Sequence, residues 1–282
     1  MKIIVEKEGE LLDYLYNHLD MPKKRVKQYL THGSIYVNNH KTTQYNEKVV
    51  PGMEIVITTD TKGQTTLPFD ILFEDAHIVV VNKPSGLLTI ATEKEKERTL
   101  YHLVREYLIS KNKNARIFIV HRLDKDTSGI VIFAKDEKIK NTLQEHWNEY
   151  VSLREYVAVV HGKMEKEKDR IVQYLKETKT NLTYVARNKD GKEAITNYEV
   201  IKESEDYSLL KIEIETGRKN QIRVAMSSIN HPIVGDKKYG NPKDGENRLY
   251  LHANRLKLYY PEIKKELLFE TQTPSEFKRI MK

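Results

Sequence analysis

The stretch IFIVHRLDKDTSGIVIFAKD, Ile117 to Asp136, decides how the chain is read. Two apolar runs, Ile117 to Val120 and Ile130 to Ala134, have the length of strands. They enclose nine residues, His121-Arg122-Leu123-Asp124-Lys125-Asp126-Thr127-Ser128-Gly129. A strand connection does not need that length, nor two Asp, an Arg and a His. Either Asp can form side-chain turns with Thr127 and Ser128, and Gly129 can supply an unusual backbone angle. For Asp126 the turn-forming reading is preferred.

Outward from this loop, strands and helices alternate without the regular repeat of a parallel α/β fold. Ile71 to Phe73 and Ile78 to Val81 read as strands and Leu100 to Leu108 as a helix. Asp136 to Trp147 reads as a helix with Asp136 as its N-cap. Leu153 to Val160, Leu182 to Ala186, Ala194 to Val200 and Ser208 to Ile214 read as strands, with Asp190-Gly191 as a hairpin turn. Ile222, Ala225, Met226 and Ile229 recur at helical spacing, which predicts a helix over 219–230 with its apolar face on the sheet. A short helix near Phe277 ends the chain. The expected fold class is α+β, built on a mixed, mostly antiparallel sheet with flanking helices.

The first sixty residues read as a separate small unit. Leu11, Leu12, Tyr14, Leu15 and Leu19 recur at helical spacing, and so do Val26, Tyr29 and Leu30 after Pro22. Gly33 stops that second helix, and strands at Ser34 to Val37 and Met53 to Ile57 follow, with turns at Asn38-Asn39 and Pro51-Gly52. Between Met21 and Asn46 stand Lys23, Lys24, Arg25, Lys27 and Lys41 with no acidic residue. Thr58 to Pro68 is polar and aperiodic, the signature of a linker. The expected boundaries are 1–60, a linker over 61–68, and a catalytic domain over 69–282.

Composition sets the outer limits. The chain has 282 residues with 39% hydrophobic and 32% charged, which describes a globular chain rather than a disordered one. It has no cysteine, so disulfides, thiolate zinc sites, iron–sulfur clusters and cysteine nucleophiles are excluded. The N-terminus turns charged after three apolar residues, and the longest apolar runs are strand-sized; neither a signal peptide nor a membrane span is read, and a cytoplasmic location is expected. A net charge of +7 fits a polyanionic partner without identifying one. Dinucleotide-binding, phosphate-loop, nucleophile-elbow and zinc-protease motifs are absent, and the 10 histidines lack ligand spacing, so no cofactor or metal is expected.

The string His-Arg-Leu-Asp-x-x-Thr-Ser-Gly resembles the first motif of the RluA-type pseudouridine synthases. ILFEDAHIVVVNKPSGL, REYVAVVHG, EAITNYEV, ETGRKNQIRV, HPIVGDKKYG and LYLHANRLKL continue that resemblance in order over nearly all of 69–282. The basic helix, THGSIYVNNHKT and VVPGMEIVI resemble the small RNA-binding domain named after ribosomal protein S-four, over about residues 10–57. The chain departs from the family at Lys219-Asn220, where Thr-His is usual, at Ala225, where a final His is usual, and at Thr89-Ile90-Ala91.

The resemblance implies a cofactor-free isomerisation of uridine to pseudouridine in RNA. Such chemistry needs a carboxylate, a cation to keep it ionised, and proton transfer at carbon 5. By resemblance Asp124 is the catalytic residue and Arg223 the cation paired with it; a direct ion pair would lower the carboxyl pKa by about one to three units. Tyr156 is the strand tyrosine that stacks on the base, although a phenol with a pKa near 10 is a poor base unless shifted. Arg122 is suited to fill the space of a flipped uridine, His121 to assist positioning, and Lys23, Lys24, Arg25 and Lys27 to dock RNA. Arg218 reads as structural or phosphate-binding. Leu251 and His252 line or buttress the pocket. The expected partner is RNA, ribosomal favoured over transfer RNA, with no membrane and a monomeric state. The competing reading is a catalytically silent RNA-binding or assembly factor, which has no need of Asp124, Tyr156 and Arg223 together.

Overall fold

A computed structural model describes residues 2–31, 33–38, 40–57, 67–93, 95, 98–240 and 244–282. They fall into two compact units, Met1–Leu67 and Pro68–Lys282.

The first unit holds β1 (Lys2–Ile4), β2 (Gly9–Glu10), α1 (Leu11–His18), α2 (Lys23–Thr31), β3 (Ile35–Val37), β4 (His40–Thr42), β5 (Lys48–Val49) and β6 (Glu54–Ile57). Four strands form an antiparallel sheet in the order β1-β6-β3-β4, and β2 pairs with β5. Leu11 and Leu15 of α1 meet Val26 and Leu30 of α2, and all pack with Ile35, Val37, Ile55 and Ile57. Helical and alternating periodicities thus supply one face each to a single small core. With Val26 and Leu30 turned inward, Lys23, Lys24, Arg25 and Lys27 are left on the exposed side of α2. Gly33, at φ 63°, ends that helix. Gly52 turns at φ 89° and Asn38 at φ 47°. Asn39, residues 58–66 of the expected linker, and the Lys41 side chain lie outside the described residues.

The second unit runs β7 (Asp70–Glu74), β8 (Ile78–Lys83), α3 (Leu100–Lys111), β9 (Phe118–Ile119), β10 (Ser128–Ala134), α4 (Glu137–Glu145), α5 (Trp147–Tyr150), β11 (Val151–His161), β12 (Lys168–Glu177), β13 (Thr183–Val185), β14 (Lys192–Glu203), β15 (Tyr207–Ile214), α6 (Gln221–Ser228), β16 (Leu251–Tyr260), β17 (Lys265–Glu270) and α7 (Ser275–Ile280). Eleven strands form one sheet along β13-β12-β14-β15-β11-β16-β10-β8-β7, with β17 on β16 and β9 on β10. The fold is α+β with a large mixed sheet, as expected.

All strand pairs of that sheet are antiparallel except β10 with β16. That parallel contact is short, Ser128 opposite His252 and Gly129 opposite Ala253. It requires glycine: at φ 121°, a Cβ on Gly129 would lie 2.2 Å from the Ala253 carbonyl oxygen. The unusual backbone angle read at Gly129 therefore serves a close crossing of two central strands.

Two cores flank this crossing. One gathers Val157, Val159, Leu210 and Ile212 under Ile222, Ala225 and Met226 of α6, as their spacing indicated. The other gathers Ile78, Ile130, Ile132, Leu256 and Leu258 under Ile139 and Leu143 of α4. Every residue of β10 is buried, which fits a central strand covered on both faces. Asp136 caps α4 by accepting from the Ile139 amide at 2.8 Å.

One expectation is corrected. Asp190-Gly191 does not join neighbouring strands: β13 and β14 both pair with β12, which lies between them. Gly191 instead packs its α-carbon against β12, where a Cβ would meet the Leu175 oxygen at 2.9 Å. β12 itself, KDRIVQYLKE, was not read as a strand. Only Leu175 of it is buried, so its sequence carries little hydrophobic signal.

Candidate active site

Asp124 lies on the loop between β9 and β10, half-buried. Side chains from the end of β8 and the segment after it hold that loop by its backbone. Lys83, fully buried, donates from Nζ to the carbonyls of Pro84 at 3.0 Å, Leu87 at 2.7 Å and Lys125 at 2.9 Å. Thr89 Oγ1 donates to the Leu123 carbonyl at 2.7 Å and accepts from the Leu123 amide at 3.2 Å. Ser85 Oγ donates to the Asp126 carbonyl at 2.6 Å. Burial pushes the Lys83 ammonium down to about 7, against the opposing pull of Asp126 and Asp124. The loop backbone is thus fixed on both sides of Asp124. The clamp was not read from the sequence, although a lysine closing the apolar run IVVVNK was its available signal.

The far end of the loop is held as well. Ser128 Oγ bonds His252 Nδ1 at 2.8 Å and accepts from Arg248 Nη2 at 2.6 Å. His252 Nε2 bonds Thr271 Oγ1 at 2.7 Å. Burial, then the charge of Arg248, pushes His252 down to about 4, so the ring is neutral and buttresses the loop.

Asp124, Tyr156 and Arg223 line one cavity of about 380 Å³, with Arg122, Leu251 and Ile222 also on its wall. That size is within the usual range of small-molecule sites. Tyr156 projects from β11 where the β16 register slips: Glu155 pairs with Arg255 and Tyr156 with Ala253, leaving Asn254 as a bulge. Such bulges re-aim side chains beside functional clefts. Burial pushes the Tyr156 hydroxyl up to about 12; Arg154 opposes this and the charge of Asp124 adds to it. The phenol therefore holds its proton throughout the physiological range.

Arg223 corrects one expectation. Its bonds go to Asp236 rather than to Asp124: Nε to Oδ2 at 2.8 Å and Nη2 to Oδ1 at 2.7 Å. Nη1 donates to Asn220 Oδ1 at 3.2 Å, and the Tyr239 ring lies 5.1 Å from the guanidinium carbon. Asn220, left-handed at φ 53°, also donates from Nδ2 to the Tyr239 hydroxyl at 3.1 Å. Burial works against the Arg223 charge, but Asp236 and then Asp124 push the guanidinium above its usual value. Burial likewise opposes ionisation of Asp236, yet its bonds to Arg223 and to the Tyr239 and Lys238 amides hold its carboxyl below the usual range. Asp124 lines the same cavity as Arg223 without a bond to it. Asp236 takes the Nε and Nη2 edge of the guanidinium, and Asn220 takes Nη1.

The remaining expected site residues divide by unit. Arg122 is exposed at the cavity rim. His121 Nε2 accepts from the Ile132 amide at 3.1 Å, and its ring lies 4.7 Å from that of Trp147. Burial, then the charge of Arg154, pushes His121 down to about 3. It is neutral, its proton sits on Nδ1, and it brings no charge to a phosphate. Lys23, Lys24, Arg25 and Lys27 belong to the other unit; Lys23 lies 5.1 Å from the Tyr16 ring and Arg25 5.9 Å from that of Tyr29.

A fixed carboxylate facing an aromatic ring, with a buried cation across a partly apolar cavity, suits attack on or stabilisation of an electron-poor planar group. Comparisons with known proteins give the family. The family model described as RNA pseudouridylate synthase matches residues 77–228. A Yersinia pestis protein named ribosomal large subunit pseudouridine synthase D is 33% identical over 274 residues, covering 90% of this chain and 84% of its own. A Bacillus subtilis protein named uncharacterized RNA pseudouridine synthase YhcT is 30% identical over 277 residues, covering 96% and 91%. Among solved structures, human RNA pseudouridylate synthase domain containing 4 shares the fold, with a TM-score of 0.62 at 23% identity over 74% of this chain and 90% of that one. The chain belongs to the RNA pseudouridylate synthase family, the isomerases that convert uridine in RNA to pseudouridine.

Proposed function

We propose that this isomerase acts on uridines of large-subunit ribosomal RNA, with Asp124 as its catalytic carboxylate, Arg223 as the cation serving it and Tyr156 as the ring against the base. The observation that carries the reading is that these three side chains line one cavity. The ribosomal target is supported by the relatives named for that RNA. The first unit acts as an S-four-like RNA-docking domain, and its exposed Lys23, Lys24, Arg25 and Lys27 meet phosphates.

The target uridine leaves its stack, at a cost of a few kcal/mol. Arg122, exposed at the rim, fills the space with its planar guanidinium. In the cavity the bond from ribose carbon 1′ to nitrogen 1 breaks, the base turns, and carbon 1′ bonds to carbon 5. A proton leaves carbon 5 and nitrogen 1 ends protonated, so the product is an isomer. Asp124 supports the separated sugar and base, and Arg223, held by Asp236, favours the charged carboxylate. With its hydroxyl proton held, Tyr156 orients the base by its ring rather than by accepting a proton.

The test is chemical mapping of pseudouridine in ribosomal and transfer RNA from cells lacking the gene. Positions missing from large-subunit RNA, and restored on its unmodified transcript by the purified protein, are expected. Loss confined to transfer RNA would overturn the ribosomal target.

A further inference from the structure

A second cavity, also about 380 Å³, adjoins the first and shares Arg122, Tyr156 and Arg218 with it. Its other walls include Trp147 and Arg154. Two guanidiniums there are fastened by backbone carbonyls alone: Arg154 Nη2 to the Glu215 carbonyl at 2.5 Å, and Arg218 Nε to the Glu193 carbonyl at 2.8 Å. The one carboxylate on this wall, Glu215, is committed elsewhere, to Arg170 at 3.0 Å and Asn197 at 3.0 Å. Among the described residues, no carboxylate forms an ion pair with Arg122, Arg154 or Arg218.

Arg154 is half-buried and Arg218 exposed, and two like charges near one another cost energy that an anion between them would offset. Burial works against the Arg154 charge, Tyr156 opposes that effect, and the nearby Arg218 adds to it. Gly217 keeps room for it, since a Cβ there would press on Arg154 Nη1 at 3.2 Å. Forked donors held in place by carbonyls, with their outer edges free, match the geometry of a phosphate. Trp147, half-buried with Asn148 exposed beside it, offers a ring face or edge on the same wall.

We propose that this second cavity seats the nucleotide next to the target uridine, with its phosphate on Arg154 and Arg218 and its base against Trp147. The proposal rests on RNA entering the first cavity. It assigns this wall the task of reading the neighbour of the flipped residue, so the preference for that neighbour is set here.

The test uses the full chain and unmodified large-subunit ribosomal RNA transcript, with binding and pseudouridine formation measured separately. Arg154→Gln and Arg218→Gln should each weaken binding about five- to tenfold and reduce the slope of log affinity against log salt by close to one contact. Arg154→Lys and Arg218→Lys should retain the slope, which a merely structural role would not produce. Emission of Trp147, the single tryptophan in the chain, should change as RNA saturates the protein. Wild-type affinity and slope in both Gln variants, or unaltered emission at saturation, would overturn the proposal. Arginine-dependent binding without any pseudouridine would keep this site and reject the catalytic roles proposed above.

Discussion

Arg223 and Asp236 form a bidentate pair at 2.8 and 2.7 Å with both side chains buried, and Arg223 lines the same cavity as Asp124. The cation proposed to serve Asp124 is therefore held by a second carboxylate.

Removing Asp236 should leave Arg223 charged, buried and unpaired. Asp236→Asn is expected to cost about 3–5 kcal/mol in urea unfolding. It should also lower the isomerisation rate, because the guanidinium loses its orientation. Wild-type stability in this variant would contradict the pairing.

Lys83 is the clamp of the Asp124 loop, with three carbonyls on its ammonium. Lys83→Met keeps the length and removes every donor, leaving three partly buried carbonyls without theirs. A loss of about 2–4 kcal/mol is expected. Faster amide hydrogen exchange at residues 123–128 should accompany it. Unchanged exchange there would show that the loop is held otherwise.

Tyr156 should leave no mark on the pH dependence of the rate below about pH 11, since its hydroxyl is pushed up to about 12. Single-turnover rates of Tyr156→Phe between pH 6 and 10 should follow a profile of wild-type shape, whatever their height. A limb present in the wild type and lost in Tyr156→Phe would make the phenol a base.

Glu74 supplies a stability test with a definite sign. Burial opposes its charge, but bonds from Lys135, Lys111 and Tyr107 bring its carboxyl from 4.5 down to about 2. Because the folded value lies below the unfolded one, the stabilisation is present above about 4.5 and is lost as pH falls toward 2. The shift corresponds to about 3 kcal/mol. Glu74→Gln should flatten the fall in stability over that window, and an equally steep fall would contradict it.

For the basic face of α2, replacing Lys23, Lys24 and Arg25 with Ala should flatten the salt dependence of RNA affinity by about 0.7–0.9 per lost phosphate contact. An unaltered slope would place RNA docking elsewhere.

Much of the site was legible because its elements announce themselves locally. The apolar runs around His121 to Gly129 became strands β9 and β10, and the spacing of Ile222, Ala225 and Met226 gave the buried face of α6. The partners that fix these residues were not legible, because they are distant in sequence. Asp236 lies 13 positions from Arg223, and Lys83 reaches Lys125 across 42. No periodicity encodes such contacts; they exist only once the sheet brings β8, β10 and β16 side by side. β12 was missed for a different reason: its exposed, charged residues leave little pattern to read.

Asp124, in the cavity it shares with Tyr156 and Arg223, is proposed to carry out the isomerisation. The most direct measurement is tritium release from RNA labelled at carbon 5 of uridine, taken from cells lacking the gene. Wild type and Asp124→Ala are compared after circular dichroism shows both folded. Release by the wild type, reduced by at least about two orders of magnitude in the variant, is expected. Equal release by both would contradict the assignment of Asp124.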